Sequence, residues 1–420
     1  MRAIWTKSVS SRAGSGEPVQ IALFNYRWPY LVYTRDMLDS LLDKGHEVHL
    51  FTFETWYSSV PRPQRRPGFY HHELAFTSEV EDKIHELVYL NLKSQGKPGV
   101  SRDDLDFLIG ELAATLPLMA EFAAASVPDI SVGIGLDKGG LLWARAWHKK
   151  TGKPYIHYST ELFSTDSDVY TWPKIAAMLP FEPEAHAGVA ATIVQDADRG
   201  NYLAHYNKAV SGHVFYFPVS VKAPKEKRGP SARKLCILFG QTEGRLDEQQ
   251  CLTLHRALPD AYEMLFHMNM TQGVLKRTKA RYGLPNIHIC TNTLDELQIE
   301  ELLAQARLAL CWYPSHDMNN SLTAFSSEKL ARYLSLGIPV IVNADSNFHK
   351  LFAMYRCGVG LHTISQLPEA IAEIESRYGE YREAAFQAYE AYYNHDTNFE
   401  RLYQHMIAAG ILSEIEGNAD

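Results

Sequence analysis

The sequence predicts an α/β protein made of two doubly wound domains. Strand-length apolar runs alternate with amphipathic helical stretches through almost the whole chain. The alternation breaks once, at Lys222–Arg233 (KAPKEKRGPSAR), whose charge and proline content suit an interdomain linker. At 420 residues the chain is also too long for one ordinary core. The units assigned are a disordered lead-in over 1–17, a first domain over 18–221, the linker over 222–233, a second domain over 234–395 and a terminal helix over 396–420.

Val19–Phe24 opens the first domain as an apolar strand. Its exit, Asn25–Pro29, contains no glycine, so Tyr26, Arg27 and Trp28 give it an aromatic, cationic surface. A helix over Tyr30–Lys44 stops at Gly45, and His46–Thr52 is the next strand, completing a right-handed crossover. Pro61–Pro67 reads as a stiff basic loop, and helices are expected at Glu79–Lys93 and Asp103–Ala125. Pro128–Ile134 is a third strand and Gly135–Gly140 its exit loop; a helix to Lys150 then leads to the strand Pro154–Tyr158. Ligands of open α/β sheets bind beyond the C-terminal strand ends, which brings forward Asp137, His157, Ser159, Thr160 and Glu161. Strands at Ala190–Gln195 and His213–Val219 close the domain.

The second domain starts at the strand Lys234–Gly240, which delivers Gln241–Arg245. Gly240 and Gly244 let the backbone approach a ligand, and Arg245 offers a planar, permanent cation. A helix over Leu246–Leu258, a strand at Glu263–Met268, a helix to Tyr282 and a strand at Asn286–Cys290 follow, with Thr291, Asn292 and Thr293 as the last exit loop. After a helix at Glu300–Gln305 and a strand at Ala309–Tyr313, Pro314–Thr323 is a polar loop carrying His316, Asp317, Asn319 and Asn320. It feeds Ala324–Asn343 (AFSSEKLARYLSLGIPVIVN), where Ser326, Ser327, Glu328 and Lys329 open a helix with an apolar face of Leu330, Tyr333, Leu334 and Leu336. Gly337 stops that helix and Ile338–Val342 continues as a strand buried on both faces. The unpaired N–H groups and positive dipole end of the helix suit a phosphate, with Ser326, Ser327 and Lys329 adding donors. A last strand is expected at Val359–His362, and helices at Leu367–Ser376, Tyr378–Tyr393 and Asn398–Ala408.

The stretch SSEKLARYLSLGIPVI resembles the donor-binding motif of GT-B glycosyltransferases, the nucleotide-sugar enzymes of family 4-like type, through Lys329, Tyr333, Gly337, Pro339 and Val340. It departs from that motif at Arg332, where the family carries a ribose-binding Glu, and at Glu328, where some members carry Gly. The resemblance implies two Rossmann-like domains facing across a cleft, with a last helix crossing back to the first. It implies a nucleotide sugar bound by the second domain; the donor-binding residues are then Gly240, Gly244, Arg245, Thr291, Asn292, Asn320, Ser326, Ser327, Glu328 and Lys329. A glycan, lipid-linked or small-molecule acceptor would lie mainly on the first domain, against Tyr26, Arg27 and Trp28. Retention at the anomeric carbon is implied; no metal cluster is visible in the sequence and the positive cradle would make one unnecessary, so no metal or other cofactor is expected. An inverting enzyme would need a positioned base, and Asp137 and Glu161 are the catalytic candidates.

Composition removes several classes. A hydrophobic fraction of 46%, a charged fraction of 21% and a net charge of −8 describe a globular protein and give no reason to expect a nucleic-acid partner. The five cysteines show no CxxC spacing, so metal knuckles and redox motifs are not expected and reduced thiols in a cytoplasmic setting are. No apolar run approaches the roughly 18 residues of a membrane span, and the basic start lacks a signal-peptide core. Peripheral contact with an anionic membrane stays open through Pro61–Pro67. No GxGxxG follows a strand, which disfavours a dinucleotide dehydrogenase. Two alternatives to glycosyl transfer remain at this point: a nucleotide-sugar epimerase or hydrolase of the same fold, and a non-catalytic two-domain ligand-binding protein.

Overall fold

The structure, a computed structural model, describes residues 18–25, 32–53, 66–74, 102–162, 173–207, 213–226, 229–240, 246–267, 274–313 and 318–413. The lead-in, the acceptor candidates Tyr26, Arg27 and Trp28, the helix expected at 79–93, the donor candidates Gly244 and Arg245, and His316 and Asp317 lie outside them.

Two parallel sheets organise the chain. The first contains β1 (Gln20–Asn25), β2 (Glu47–Phe53), β3 (Phe69–Leu74), β4 (Val132–Leu136), β5 (Tyr155–Tyr158), β6 (Ala191–Val194) and β7 (His213–Tyr216), in the order β3-β2-β1-β4-β5-β6-β7. The second contains β8 (Leu235–Leu238), β9 (Glu263–His267), β10 (Ile287–Cys290), β11 (Leu308–Cys311), β12 (Val340–Asn343) and β13 (Gly358–Leu361), in the order β10-β9-β8-β11-β12-β13. Each sheet therefore has a switch point, between β1 and β4 and between β8 and β11, where the strand order reverses and ligands of such folds bind. β4, β5, β6, β8, β11 and β12 are buried along their whole length, which is why they read as unbroken apolar runs.

The helices covering these sheets are α1 (Val32–Asp43), α2 (Arg102–Ser126), α3 (Asp137–Thr151), α4 (Pro173–Met178), α5 (Glu182–Ala187), α6 (Ala197–Asn207), α7 (Glu248–Ala257), α8 (Val274–Tyr282), α9 (Glu296–Leu303), α10 (Met318–Ser321), α11 (Glu328–Ser335), α12 (Phe348–Met354), α13 (Leu367–Ser376), α14 (Tyr378–Ala388) and α15 (His395–Ala408). α15 lies on the first domain, where Phe399, Leu402, Tyr403 and Met406 join the core of β1, β2 and β4. Two buried polar pairs fix it there: Ser40 Oγ with His395 Nε2, and His46 Nε2 with Tyr403 Oη, each 2.9 Å apart.

Three sequence expectations are corrected. Gly135–Gly140 is not a loop: β4 ends at Leu136 and α3 begins at the next residue. Its glycines serve close packing, since a Cβ on Gly135 would lie 2.5 Å from the Gly140 carbonyl oxygen and one on Gly140 would strike the Phe24 carbonyl. Strand β3 escaped the reading because it is an edge strand of mixed polarity, FYHHEL, with largely exposed residues. The helix expected from Glu300 starts at Glu296, where Asp295 and Gln298 form a reciprocal capping box. By length and composition α2 would be able to span a membrane. Here it packs on α3 through Leu112, Met119 and Ala123, with Trp143 Nε1 donating to the Met119 carbonyl at 3.0 Å.

Candidate functional site

On the second domain, β8 and α11 meet at the strand end. The Phe239 N–H donates to Tyr333 Oη at 2.8 Å, tying the end of β8 to the buried face of α11. Gly240 follows with φ +85°, and a Cβ there would sit 2.7 Å from Lys329 Cε. The Lys329 side chain thus lies along the backbone of Gly240, its Nζ 5.7 Å from the Tyr313 ring centre. Ser327 is the N-cap of α11: its Oγ accepts from the Leu330 N–H at 3.2 Å and is 2.6 Å from Tyr313 Oη. The helix start, its positive dipole end and the Lys329 cation converge beside Gly240, a combination suited to an anion.

The neighbouring residues brace this corner. His267 stacks on Phe239 with ring centres 4.9 Å apart, and its Nε2 is hydrogen-bonded to the Asn292 carbonyl at 3.0 Å, holding the exit loop of β10. Burial lowers the His267 pKa below the usual histidine range, so its ring works as a neutral prop. Asn343 bridges the ends of β11 and β12, accepting from the Tyr313 N–H at 2.9 Å and donating to the Tyr313 carbonyl at 2.5 Å. Arg332 points to two carboxylates, Glu328 at 2.8 Å and Glu296 at 2.9 Å, and Glu296 is 3.4 Å from Arg35 of the first domain.

On the first domain, the turn from β4 into α3 puts Asp137 at φ +52°, a left-handed conformation that Asp tolerates better than most residues. Its carboxylate is engaged by the β5 exit loop: Oδ1 accepts from the Thr160 N–H at 2.7 Å and the Glu161 N–H at 3.0 Å, and the Thr160 hydroxyl is 2.7 Å from both oxygens. That geometry gives Asp137 the part of a clamp. Glu161 sits half-buried in the clamped loop. Below it Lys138 and Glu182 form a buried ion pair at 2.5 Å, with His186 Nε2 at 3.6 Å from the same carboxylate. Burial opposes the charge of Glu182, yet Lys138 and His186 outweigh it and keep the carboxyl below its ordinary range. His157 is fully buried and its pKa is driven far down by that burial, with His186 and Lys138 adding to the effect.

Arg199, near the start of α6, joins the two sides. Its Nη2 donates to the Thr160 carbonyl at 2.9 Å and to Asn319 Oδ1 at 3.0 Å. Its Nη1 donates to the Leu322 carbonyl at 3.1 Å and to Ser326 Oγ at 2.9 Å. Asn319 Oδ1 also accepts from the Leu162 N–H at 2.5 Å. The structure therefore gathers Gly240, Lys329, Ser327 and Glu328 at one corner, with Thr291 and Asn292 on the loop beside it. Ser326 and the α10 residues Asn319 and Asn320 stand at the domain seam. Sequence reading missed Arg199, His267 and Tyr313. The first follows a strand end, in Asp196-Ala-Asp-Arg199, which is the one local signal for it.

Among the described residues no group of three or more His, Cys, Asp or Glu is placed to hold a metal. Residues 262–394 match the family model described as Glucosyltransferase 3-like, C-terminal domain, a span that includes β9 to β13 and the whole Lys329 corner except Gly240. The chain has the GT-B glycosyltransferase fold. It superimposes on sucrose-phosphate synthase from Thermosynechococcus elongatus with a TM-score of 0.67 at 13% identity, over 93% of this chain and 100% of that one. An α,α-trehalose-phosphate synthase (UDP-forming) from Burkholderia vietnamiensis gives 0.64 at 12% identity, over 94% and 99%. An Anabaena protein solved in complex with UDP and glucose gives 0.62 at 10% identity, over 93% and 99%. No curated protein matches the sequence. In the GT-B arrangement, the Lys329 corner and the Asp137-clamped loop belong to opposite domains, joined by Arg199.

Proposed function

We propose that this protein is a glycosyltransferase that moves a sugar from a uridine-diphosphate-type donor to a small or glycan acceptor in the interdomain cleft. The observation that carries the reading is the placement of Lys329 along Gly240 at the start of α11, inside the span that matches the family model. A departing diphosphate there meets the first N–H groups of α11, the dipole end of the helix and the Lys329 ammonium, all fixed before reaction. Gly240, without a side chain, leaves room for the Lys329 stem to lie along its backbone, Tyr333 ties the end of β8 to α11, and Ser327 caps the helix start. Glu328, held by Arg332, and the loop of Thr291 and Asn292, held by His267, would line the nucleoside side.

The acceptor would approach from the first domain, over the loop that Asp137 clamps. With its carboxylate committed to that loop, Asp137 serves as a positioning residue, and transfer with retention, without a resident metal or other cofactor, is the mechanism we favour. The five cysteines, none of them in a disulfide, support a cytoplasmic setting.

A thermal-shift panel of nucleotide mono- and diphosphates and nucleotide sugars tests the donor site. A ligand at about 100 times its dissociation constant adds roughly 2.7 kcal/mol. Stabilisation by one base's diphosphate is expected, followed by release of that diphosphate when acceptors are supplied. Folded protein that responds to none of these ligands would overturn the assignment.

A further inference from the structure

A second space lies between the domains, and the proposed transfer does not use it. It has a volume of about 640 Å³ and is bounded by α6 on one side and by α10 and the segment after β12 on the other. Leu322, whose carbonyl Arg199 holds, is part of its wall, so the cavity adjoins the seam between the domains.

Three features of the wall decide what fits. Tyr202 and Tyr206 lie with ring centres 4.3 Å apart at 39°, and Tyr206 is 37% exposed, which makes an aromatic platform on α6. Such rings have an apolar face and a polar tip, the pairing that matches the C–H face and hydroxyl rim of a sugar ring. The charges argue against a phosphate: among the described residues of the wall, Asp198 and Asp345 stand with one lysine, Lys350, which is already paired with Asp198, there is no arginine, and the other titratable groups are His205 and His349. Asn347 carries an unspent donor. It is 5% exposed, its Oδ1 accepts from the Ala324 N–H at 2.8 Å, and its Nδ2 has no hydrogen-bond partner. Buried polar groups are normally paired, so a buried amide with one half satisfied marks a place for an acceptor.

We propose that this cavity is a saccharide-binding subsite for a neutral, polyhydroxylated ligand of one or two rings, separate from the nucleotide-sugar site. The ring face lies on Tyr206, a hydroxyl meets the Asn347 amide, and Asp345 accepts a second hydroxyl. Because α6 belongs to the first domain and Asn347 and Asp345 to the second, an occupant holds the domains together. Cavities of this size at domain boundaries are common ligand sites. The ligand is either a free saccharide or the remote unit of a longer glycan; both present the same chemistry.

The test is saturation-transfer NMR on the full chain with glucose, maltose and maltotriose as probes. Wild-type protein transfers saturation to at least one of them. Tyr206→Ala, at an exposed position, weakens that binding at least tenfold, as does Asp345→Ala on the opposite wall, while both variants keep the wild-type thermal response to UDP. Affinity that plateaus at one or two rings marks a free saccharide, and affinity that climbs with each ring marks a glycan extension. Absence of transfer to all three probes, retained binding in both variants, or displacement of the saccharide by UDP would each overturn the subsite. Saccharide binding in protein that ignores UDP would instead remove the donor assignment and leave this site standing.

Discussion

Arg199 Nη2 donates to Asn319 Oδ1 at 3.0 Å, and the same oxygen accepts from the Leu162 N–H at 2.5 Å. One amide of the second domain is thus read by a side chain and by a backbone group of the first. With the contacts to Thr160, Leu322 and Ser326, a single buried guanidinium fixes how the Asp137-clamped loop faces the segment that opens α11. Arg199→Ala should lower stability by about 3–5 kcal/mol, because it strips a buried fork from four acceptors it now satisfies. Arg199→Lys keeps the charge and loses the fork. The lysine variant should stay folded, bind UDP within about twofold of wild type, and lose roughly tenfold or more in turnover through misplacement of the acceptor loop. Calorimetry and steady-state kinetics check both.

Lys329→Ala should weaken UDP binding about 10- to 100-fold, the loss of one charge-assisted contact. Gly240→Ala should reproduce that defect from the other side. The left-handed backbone costs a residue with a Cβ about 1–2 kcal/mol, and the new methyl displaces Lys329 Cε. Titration calorimetry with UDP should show the two variants falling together. A Gly240→Ala protein with wild-type affinity would detach Lys329 from the diphosphate.

The two doubly wound sheets were legible because parallel strands buried on both faces leave unbroken apolar runs, as at Val132–Leu136 and Val340–Asn343. Gly337 was legible for the same local reason: it takes φ +65°, and any Cβ would meet the Phe386 ring at 2.5 Å. What the sequence hid is tertiary. Gly135 and Gly140 read as an exit loop, but their missing side chains let β4 and α3 touch. The tertiary bonds of Ser326 and Ser327 could not be read either: one hydroxyl accepts from Arg199 and the other caps α11. Arg199 and Asn319 are 120 residues apart, and no local pattern announces that they meet.

Asp137 offers a clean separation of two chemistries. A general base loses about 10²- to 10⁴-fold on conversion to an amide. A clamp loses much less, because an asparagine side chain still presents one acceptor oxygen and tolerates the left-handed turn. Asp137→Asn should therefore keep activity within about tenfold of wild type. Asp137→Ala should lose about 2–4 kcal/mol of stability by releasing the Thr160 and Glu161 contacts. Parallel measurement of turnover and unfolding on the two variants decides between them.

Acid should weaken the α15 interface. Burial brings His46 and His395 down to about 4, with Lys44 and Lys222 respectively adding to the effect, while Asp396, Asp36 and Asp39 act the other way on His395. Both rings are neutral in the fold and hydrogen-bonded, to Tyr403 and Ser40. Their folded values lie below the usual unfolded value of about 6.5, so between those limits the unfolded chain binds more protons. Stability is then complete above about pH 6.5 and declines as pH falls toward 4, by up to roughly 3 kcal/mol for each ring. Replacing His395 with Gln, which keeps a polar contact to Ser40 but cannot take up a proton, should remove up to roughly 3 kcal/mol of the loss between pH 6.5 and 4, while the other histidines that burial lowers, His46, His49, His72, His157 and His267, carry the rest. Denaturant titrations across that range check the slope; an unchanged slope in the His395→Gln variant would show that other groups carry the acid sensitivity.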